Sequence, residues 1–302
     1  MKPLLKWAGG KRWLIPKIKE LIDENGENKI VFNKKNNSYF EPFFGAGAIF
    51  FSIKPFKAII SDSNSELINL YKEVKKNPNK VIIELEKMAK ELEANKKYYY
   101  EIRDMERKES WKIKPNYLKA ARTIFLNKSC FNGLYRVNSK GLFNVPIGRN
   151  NISNIVDLSN IKKISTFLNK NDIKIKKNDF EFIKNVAKKG DLIYFDPPYD
   201  PINQTSNFTQ YTSNGFNQED QIRLKNVADF LVKYKKANVI LSNSSTTFIK
   251  ELYSNQNSKA KSDVEYFILE IVYSNRNINS KIKSRKKIKE YLIYNKKIGE
   301  NE

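Results

Sequence analysis

The chain contains no histidine and one cysteine, Cys130, and both scarcities restrict its chemistry. Without histidine it cannot build a Ser-His-Asp triad, use imidazole as a general acid or base, or bind a metal through imidazole nitrogen. A single cysteine cannot build a disulfide framework or a cysteine zinc site. The chemistry must therefore come from carboxylates, amides, aromatic rings, lysines and the backbone, and we expect no metal site.

Long apolar runs are missing as well. No stretch approaches the length of a transmembrane helix, and residues 1–7 lack the apolar core of a signal peptide. We therefore expect a cytoplasmic protein that does not enter a membrane. The chain has 302 residues, of which 40% are hydrophobic, so it can bury a substantial core as one large α/β domain or as a domain with a smaller insertion.

Positive charge is in large excess. Lysine and arginine number 56 against 33 acidic residues, which gives a formal charge of +23. This excess favours a polyanionic partner, with nucleic acid ahead of an anionic membrane surface. Lysine, asparagine and isoleucine are all abundant, as expected from AT-rich coding, so the charge is supporting evidence only.

The most informative motif is Asp196-Pro197-Pro198-Tyr199, which follows the apolar run 191–195. That run predicts a buried strand of a parallel sheet, and two prolines end it because neither can donate to a ladder. Ligands of open α/β sheets bind beyond the carboxyl ends of strands. The Asp196 carboxylate, the Pro197 carbonyl and the Tyr199 ring together suit a planar base with an exocyclic amine. For the motif alone, the alternative is an ordinary strand that ends in Asp-Pro.

A second motif, Tyr39–Ala48, predicts the strand, glycine-rich turn and helix start of a nucleotide-binding domain. Its pattern, Phe-x-Gly-x-Gly, differs from the dinucleotide fingerprint, and no basic residue stands ready for a diphosphate, so a cofactor without phosphates fits better. Gly45 and Gly47 permit a tight turn and close contact with that ligand. Asp62 follows the next predicted strand and would accept hydrogen bonds from ribose hydroxyls; alternatively it caps the following helix.

The segment Lys6–Arg12 could bring backbone and the Lys11 cation to a ligand, although a plain surface turn explains it as well. Between residues 77 and 160 the alternation of strands and helices breaks, and helices are predicted at 81–92, 98–109 and 116–127. Two strand-like pieces around a turn at 139–141 then predict a hairpin. Aromatic residues, asparagines and arginines interleave on it, as needed to reach into a duplex and read base edges.

The alternation of strands and helices resumes near residue 173. Asp179 and Phe180 form a polar-aromatic corner beside the predicted cofactor cleft, and further strands are predicted at 238–243 and 290–294. The polar and aromatic segment 203–217 suits a mobile flap. The basic loop 276–289 would either hold DNA phosphates or be merely solvated.

In this order the motifs resemble those of the Dam-type (D12 class, class alpha) DNA adenine-N6 methyltransferases, particularly the GATC enzymes of restriction–modification systems. The matching segments span nearly the whole chain: Leu5–Lys11, Glu41–Ala48, Asp62, Phe131–Arg136, Phe143–Arg149, Asp196–Tyr199, Asn207–Thr209 and Phe216. The resemblance implies an α/β fold, a Rossmann-like S-adenosylmethionine-dependent methyltransferase sheet. The catalytic domain would comprise residues 1–76 and 161–302, with a helical plus β-hairpin target-recognition domain inserted at 77–160.

The resemblance also implies S-adenosyl-L-methionine as the methyl donor and GATC sites in double-stranded DNA as the substrate. The implied cofactor-binding residues are Trp7, Lys11, Gly45, Gly47, Asp62, Asp179, Phe180 and Asp196. The implied DNA-binding residues are Lys6, Asn132, Leu134, Arg136, Pro146 and Arg149, of which Leu134, Arg136 and Pro146 would help to read the site. Phe131 and Ile147 depart from the family's usual residues, which affects how the hairpin would part the base pair. No obligate protein partner is implied, and we expect a monomer.

The expected mechanism is methyl transfer to a flipped adenine. The amino lone pair of adenine is delocalised and its edge is buried in the duplex, so the base must leave the stack, with Tyr199 stacking on it. Asp196 and the Pro197 carbonyl would accept the two N–H bonds and turn the nitrogen lone pair toward the methyl group.

Three other classes remain as alternatives. A catalytically silent DNA-binding protein would have a damaged cofactor loop or a broken Asp-Pro-Pro-Tyr motif, and the chain has neither. A metal-dependent nuclease would explain the charge and the carboxylates but not Phe-x-Gly-x-Gly. An RNA or protein-amide methyltransferase is the nearest alternative, and the arginine-bearing insert argues against it in favour of duplex nucleic acid.

Overall fold

The structure is a computed structural model that describes residues 1–7, 9–23, 30–149, 155–201, 216–254, 266–274 and 288–295. Residues 203–215 of the predicted flap and 276–287 of the predicted basic loop lie outside these ranges, as does the family match at Asn207–Thr209. Among the helices that the structure describes, none is both long and apolar enough to cross a membrane.

The described elements alternate between strand and helix at both ends of the chain. The strands are β1 Ile22–Asp23, β2 Ile30–Val31, β3 Tyr39–Glu41, β4 Lys57–Ser61, β5 Asp172–Lys176, β6 Leu192–Phe195, β7 Asn238–Ser244, β8 Phe267–Ser274 and β9 Ile288–Asn295. The α-helices are α1 Ile15–Leu21, α2 Ala48–Ile53, α3 Ser65–Lys76, α4 Pro78–Ala94, α5 Tyr98–Asp104, α6 Asn116–Ser129, α7 Leu158–Lys170, α8 Ile183–Val186, α9 Gln218–Lys235 and α10 Thr247–Tyr253.

Within the described residues, seven strands form one sheet in the order β5-β4-β3-β6-β7-β9-β8. β6 runs parallel to both β3 and β7, with Leu192 paired to Tyr39 and to Asn238. β9 runs antiparallel to β7 and β8. Parallel neighbours require a crossover, and α9 provides the one between β6 and β7. The mostly parallel sheet confirms the predicted Rossmann-like α/β class.

By packing, the chain divides into two compact units. The first comprises Met1–Arg12, Phe44–Phe56 and Ile60–Lys177, and the second comprises Trp13–Phe43, Lys57–Ile59 and Asn178–Glu302. This division follows packing alone. The predicted catalytic and target-recognition domains are a division by role, and they stay a prediction.

Helices make up most of the first unit. α6 packs against α3, α4 and α5, and residues 120–127 of α6 are all buried. Within it, the enclosed Arg122 guanidinium donates to the carbonyls of Ile102 (2.8 Å) and Arg103 (2.7 Å) and pairs with Glu106 at 3.0 Å. A buried cation is tolerated only when it is paired and hydrogen-bonded in this way.

Two of the predicted helices, 81–92 and 116–127, are confirmed within α4 and α6. The third, predicted over 98–109, was wrong at its end, because α5 stops at Asp104 and short 3-10 turns follow. The carbonyls of Ile102 and Arg103 accept hydrogen bonds from Arg122, so the last turn of α5 is completed by a side chain from another helix.

The second unit is built on β6 and β7. Both strands are buried, and α9 covers them with an apolar face. The core includes Phe40, Ile193, Phe195, Val239, Leu241, Leu224, Val227, Leu231 and Ile293. The polar residues after Phe195 therefore begin where a fully buried strand ends.

Candidate active site and recognition surface

The Asp196 carboxylate follows β6 directly and is partly exposed. Its Oδ1 accepts a hydrogen bond from Ser242 Oγ at 3.0 Å, and Ser242 Oγ lies 2.9 Å from the Tyr194 hydroxyl. Serine has a single proton, which it donates to Asp196, so the Tyr194 hydroxyl must donate to Ser242. These two hydrogen bonds form a relay from Tyr194 on β6 through Ser242 on β7, and the relay orients the Asp196 carboxylate.

The loop after Asp196 is held by polar side chains from α9 and β7. Gln221 Nε2 donates to the Pro198 carbonyl at 2.9 Å, and Gln221 Oε1 accepts from Asn243 Nδ2 at 3.0 Å. The Asn243 Oδ1 atom accepts from the Asp200 amide at 3.2 Å, and Ser244 Oγ donates to the Asp200 carbonyl at 2.7 Å. Among the described residues, none donates a hydrogen bond to the Pro197 carbonyl.

Tyr199 is anchored through its hydroxyl group, which donates to Glu290 Oε2 at 2.8 Å. Burial raises the pKa of Tyr199 well above its ordinary value, and the negative charges of Asp196 and Glu290 raise it further. The hydroxyl therefore stays protonated. The residue as a whole is partly exposed.

Asp179 and Phe180, also in the second unit, both have structural partners. Asp179 Oδ1 accepts from the Glu181 amide at 2.9 Å, and Oδ2 accepts from Arg223 Nη2 at 2.8 Å. Phe180 is buried and stacks on Phe43, with 5.5 Å between ring centroids. The Arg223 guanidinium lies 4.6 Å from the Phe180 ring centroid. These contacts hold the corner together, and its role toward a cofactor stays a prediction.

In the first unit the glycine turn is tied to Asp62. Asp62 Oδ2 accepts from the Gly45 amide and Oδ1 from the Asn64 amide, each at 2.9 Å. Gly47 has φ 71°, and a Cβ there would come within 2.4 Å of the Phe44 ring, so the turn requires glycine. Burial raises the pKa of Asp62, and these backbone donors partly oppose that shift.

Asn64, rather than Asp62, caps α3. The Asn64 side chain accepts from the amides of Glu66 (2.9 Å) and Leu67 (3.2 Å). Asn64 therefore fills the capping role that was the alternative role for Asp62. Three backbone amides, those of Gly45, Ser63 and Asn64, donate to the Asp62 carboxylate, which has four lone-pair sites.

Trp7 and Lys11 flank the glycine pair of the N-terminal segment. The Trp7 ring lies against Gly45, where a Cβ would be 3.0 Å from Trp7 Cδ1, and it packs on the Tyr135 ring at 4.8 Å. Lys11 is only 4% exposed, and its Nζ donates to the Gly9 carbonyl at 2.6 Å. The structure thus brings Trp7, Gly45 and Asp62 together, with a buried ammonium on the adjoining turn.

This set of residues fits S-adenosylmethionine. A buried ammonium suits the carboxylate of an amino acid, an acidic side chain at a strand end suits ribose hydroxyls, and a glycine turn admits close contact. No group in the set is specialised for a diphosphate.

The predicted DNA-binding side chains share one property, which is exposure. The exposed residues are Lys6, Asn132, Leu134, Arg136, Pro146 and Arg149, whereas the intervening Gly133, Phe143 and Val145 are buried. Asn127 links the two stretches that carry them: it donates to the carbonyls of Lys6 (2.8 Å) and Gly133 (3.0 Å) and accepts from the Lys6 amide at 2.9 Å.

The predicted hairpin is confirmed in the antiparallel arrangement of its two pieces around the turn, but the pieces are not continuous strands. In the hairpin segment, Phe131–Arg149, antiparallel pairing is limited to isolated bridges at Cys130–Ile147 and Val137–Phe143, and a 3-10 turn occupies Phe131–Gly133. Gly133 has φ 66°, and a Cβ there would be 2.7 Å from the Lys6 side chain. The close approach of the N-terminal segment forces this turn and interrupts the strand.

Sequence reasoning missed the side chains that hold the Asp196–Tyr199 loop. Ser242, Asn243 and Gln221 lie on β7 and α9, and Glu290 lies on β9. The small polar residues at the end of the predicted strand 238–243 were the one available signal, since that strand neighbours β6. Glu290 stood out only as an acidic residue within an otherwise apolar strand.

Comparison with known proteins identifies consistent relatives. Residues 7–267 match the family model described as D12 class N6 adenine-specific DNA methyltransferase. The chain is 42% identical to Type II methyltransferase M1.LlaDCHI of Lactococcus lactis subsp. cremoris, over 98% of this chain and 95% of the relative. It is 40% identical to Type II methyltransferase M.MjaIII of Methanocaldococcus jannaschii (98% and 99%) and 32% identical to the DNA adenine methylase of Escherichia coli K12 (96% and 94%).

Proposed function

The chain belongs to the family of D12 class N6 adenine-specific DNA methyltransferases, and we propose that it takes the methyl group from S-adenosylmethionine and methylates adenine within GATC sites of duplex DNA. Its reaction is methylation of adenine N6 in DNA. The observation that carries the assignment of its catalytic residues is the position of Asp196, a partly exposed carboxylate oriented by Ser242 at the end of a buried strand.

Asp196 and Pro197 hold the reacting nitrogen in this proposal. The lone pair of the adenine amino group is delocalised into the ring and nucleophilic only when it is withdrawn from conjugation. The Asp196 carboxylate and the Pro197 carbonyl would each accept one N–H bond, which draws the nitrogen toward sp³ geometry and directs its lone pair at the methyl group. The relay through Ser242 and the loop contacts of Gln221 supply the required rigidity.

Tyr199 receives the base. The edge of a paired adenine is buried in the duplex, so the target base is flipped out of the stack before transfer. The accessible part of the Tyr199 ring provides a stacking surface, and stacking on an aromatic side chain is worth roughly 1–3 kcal/mol.

The methyl donor carries its methyl group on a sulfonium sulfur, which makes that group electrophilic without help from a metal or a covalent intermediate. Lys11 would pair with the donor carboxylate, Asp62 would accept from the ribose hydroxyls, and Gly45 and Gly47 would admit the ligand to the backbone. The same proposal assigns Trp7, Asp179, Phe180 and Asp196 to donor binding.

The hairpin segment reads the target sequence. Arg136, Leu134 and Pro146 would contact base edges, and an arginine bidentate to guanine contributes roughly 1–3 kcal/mol of discrimination. Lys6, Asn132 and Arg149 would contact the adjoining DNA. The exposure of all six side chains supports this assignment. Every role falls on a single chain, as expected for a monomer.

The proposal is tested by methylating plasmid DNA with the purified protein and S-adenosylmethionine. The product is then digested with two GATC endonucleases, one blocked by N6-methyladenine and one tolerant of it. We expect protection from the first and full cleavage by the second. If methyl groups are incorporated but the plasmid is still cut by the first endonuclease, the protein methylates a target sequence other than GATC. Methyl incorporation that does not depend on added S-adenosylmethionine would contradict the assignment of S-adenosylmethionine as the methyl donor.

A further inference from the structure

Glu290 is an unusual residue for its position. It is only 2% exposed and lies on β9, where Leu292, Ile293 and Tyr294 are also buried. Its two carboxylate oxygens accept hydrogen bonds from the Tyr199 hydroxyl (2.8 Å) and from Ser274 Oγ (2.6 Å). It is thus joined to a residue of the Asp-Pro-Pro-Tyr motif from 91 positions away in the sequence.

Stability alone does not account for a carboxylate at this place. Burying an ionised group is costly, and replacing buried charged groups by packed apolar ones is often neutral or stabilising. The contact instead bears on Tyr199. The backbone holds one end of that side chain just after two prolines, and Glu290 holds the hydroxyl at the other end. A ring held at both ends of its long axis cannot swing toward solvent.

We propose that Glu290 is a positioning residue for methyl transfer, which fixes the position of the Tyr199 ring on which the flipped adenine stacks. Glu290 contacts neither the base nor the methyl donor in this scheme and acts through Tyr199 alone. The inference rests on the proposed function, which assigns base stacking to Tyr199. Misplacing a positioned group by about 1 Å can cost on the order of 10²-fold in rate, so we expect the loss of this contact to lower kcat.

The test compares Glu290→Ala with Glu290→Gln in the full-length protein. The alanine variant removes the hydrogen bond between Glu290 and the Tyr199 hydroxyl. The glutamine variant retains both contacts, because its amide oxygen accepts from Tyr199 and its amide nitrogen donates to Ser274 Oγ. We expect the single-turnover rate of methylation to fall roughly 10–100-fold in Glu290→Ala and to stay within about threefold of wild type in Glu290→Gln. The affinity for S-adenosylmethionine should be unchanged in both.

A matched control is available on the same pair of strands. Glu270 on β8 accepts a hydrogen bond from the Tyr294 hydroxyl at 3.4 Å and pairs with Lys17 at 2.9 Å. Glu270→Ala removes a similar tyrosine–glutamate contact away from the motif. It should shift the melting temperature without changing the methylation rate.

Three results would overturn the inference. One is a folded Glu290→Ala protein that methylates within twofold of wild type. A second is a loss in Glu290→Gln as large as in Glu290→Ala. The third is full additivity of the rate losses in the Tyr199→Phe, Glu290→Ala double variant, since residues acting as a unit are not additive. If Glu290→Ala does not fold, Tyr199→Phe removes the same hydrogen bond from the other side, and a wild-type rate there overturns the inference equally.

Tyr199→Ala separates this inference from the function on which it rests. If Tyr199→Ala methylates DNA at the wild-type rate, base stacking on Tyr199 is not part of the mechanism. The positioning role of Glu290, which depends on that stacking, is then excluded as well. A large loss in Tyr199→Ala beside a wild-type rate in Glu290→Ala would keep the stacking step and overturn only the role of Glu290.

Discussion

The Asp196–Tyr199 loop and the hairpin segment are both irregular stretches of chain, but they are held in opposite ways. Side chains from neighbouring elements hold the loop, and several of them, including Asn243 and Gln221, are buried. The hairpin segment is anchored only on its inner side, where Tyr99 donates to the Val145 carbonyl at 2.7 Å and Glu106 accepts from the Phe143 amide at 2.7 Å. Its outer side chains remain exposed.

This difference matches what each region is proposed to do. The chemistry is the same at every target, so the loop benefits from a geometry fixed by many buried contacts. The target sequence is read by outward side chains, and these can change at little cost to folding because surface substitutions are usually nearly neutral for stability. The comparison therefore predicts losses of rate for changes in the loop and losses of discrimination for changes in the hairpin segment.

The largest effect is expected for Asp196→Ala. Removing a positioned acceptor usually costs about 10² or more in rate, so methyl transfer should be abolished while the protein stays folded and binds duplex DNA. Single-turnover methylation and a DNA-binding titration measure the two properties. A rate within about tenfold of wild type would remove Asp196 from the catalytic role.

Asn243→Ala should lower both stability and rate. The Asn243 side chain is fully buried and bonds to Gln221, Asp200 and the Ser244 amide, so its loss leaves buried groups unsatisfied, at roughly 1–3 kcal/mol in the free energy of unfolding. Urea denaturation and methylation assays measure the two effects. Ser245→Ala, which removes a more exposed contact to the Lys289 carbonyl, is the matched control and should change neither. A stable Asn243→Ala protein with full activity would show that the loop does not depend on this contact.

Arg136→Ala should narrow the preference for GATC over one-base variants by roughly 1–3 kcal/mol. Arg136 is exposed, and its Nε donates to Asn144 Oδ1 at 2.8 Å, so the side chain is presented on the outer face at no cost to the core. Competition methylation on cognate and near-cognate duplexes measures the preference. Lys140→Ala, exposed on the turn of the same segment, is the control. Equal losses on all duplexes in Arg136→Ala would make the hairpin segment a positioning element only.

A smaller effect is expected for Asp62→Ala and Lys11→Ala. Each should weaken S-adenosylmethionine binding by roughly tenfold, the loss of one charged hydrogen bond, and leave sequence preference unchanged. Calorimetric titration measures the affinity. Unchanged affinity in both variants would leave Asp62 with only its role in holding the Gly45 turn and the Asn64 amide.

The smallest effect concerns pH. Burial raises the pKa of Asp62 in the folded protein, so this group binds a proton more readily folded than unfolded. It therefore favours the folded state increasingly as pH falls through its folded pKa toward its unfolded pKa, and this contribution is lost as pH rises through the folded pKa. Donor binding, for which we propose the ionised carboxylate, should weaken over the same range. As pH falls, the affinity for S-adenosylmethionine should therefore decrease while the contribution of Asp62 to folding stability increases. Asp62→Asn should abolish both trends. An affinity with the same pH dependence in Asp62→Asn would exclude this carboxylate as the titrating group.

Local patterns in the sequence predicted those parts of the molecule that contiguous residues determine. The buried strand before Asp196 was predicted over 191–195 and observed at Leu192–Phe195. The hairpin was predicted less well, because the position of Lys6 against Gly133 depends on a contact between residues far apart in the chain.

The sequence by itself determined the fold class and the reaction, because the Phe-x-Gly-x-Gly turn, the strand before Asp196 and the two prolines after it are local features with local causes. Only the tertiary structure decided which side chains make that site rigid. Ser242 is 46 residues from Asp196, and Glu290 is 91 residues from Tyr199. β7, which carries Ser242, runs parallel to β6 and is reached by a long crossover, and β9, which carries Glu290, follows later in the chain. Such partners are distant in sequence and leave no periodic pattern along the chain.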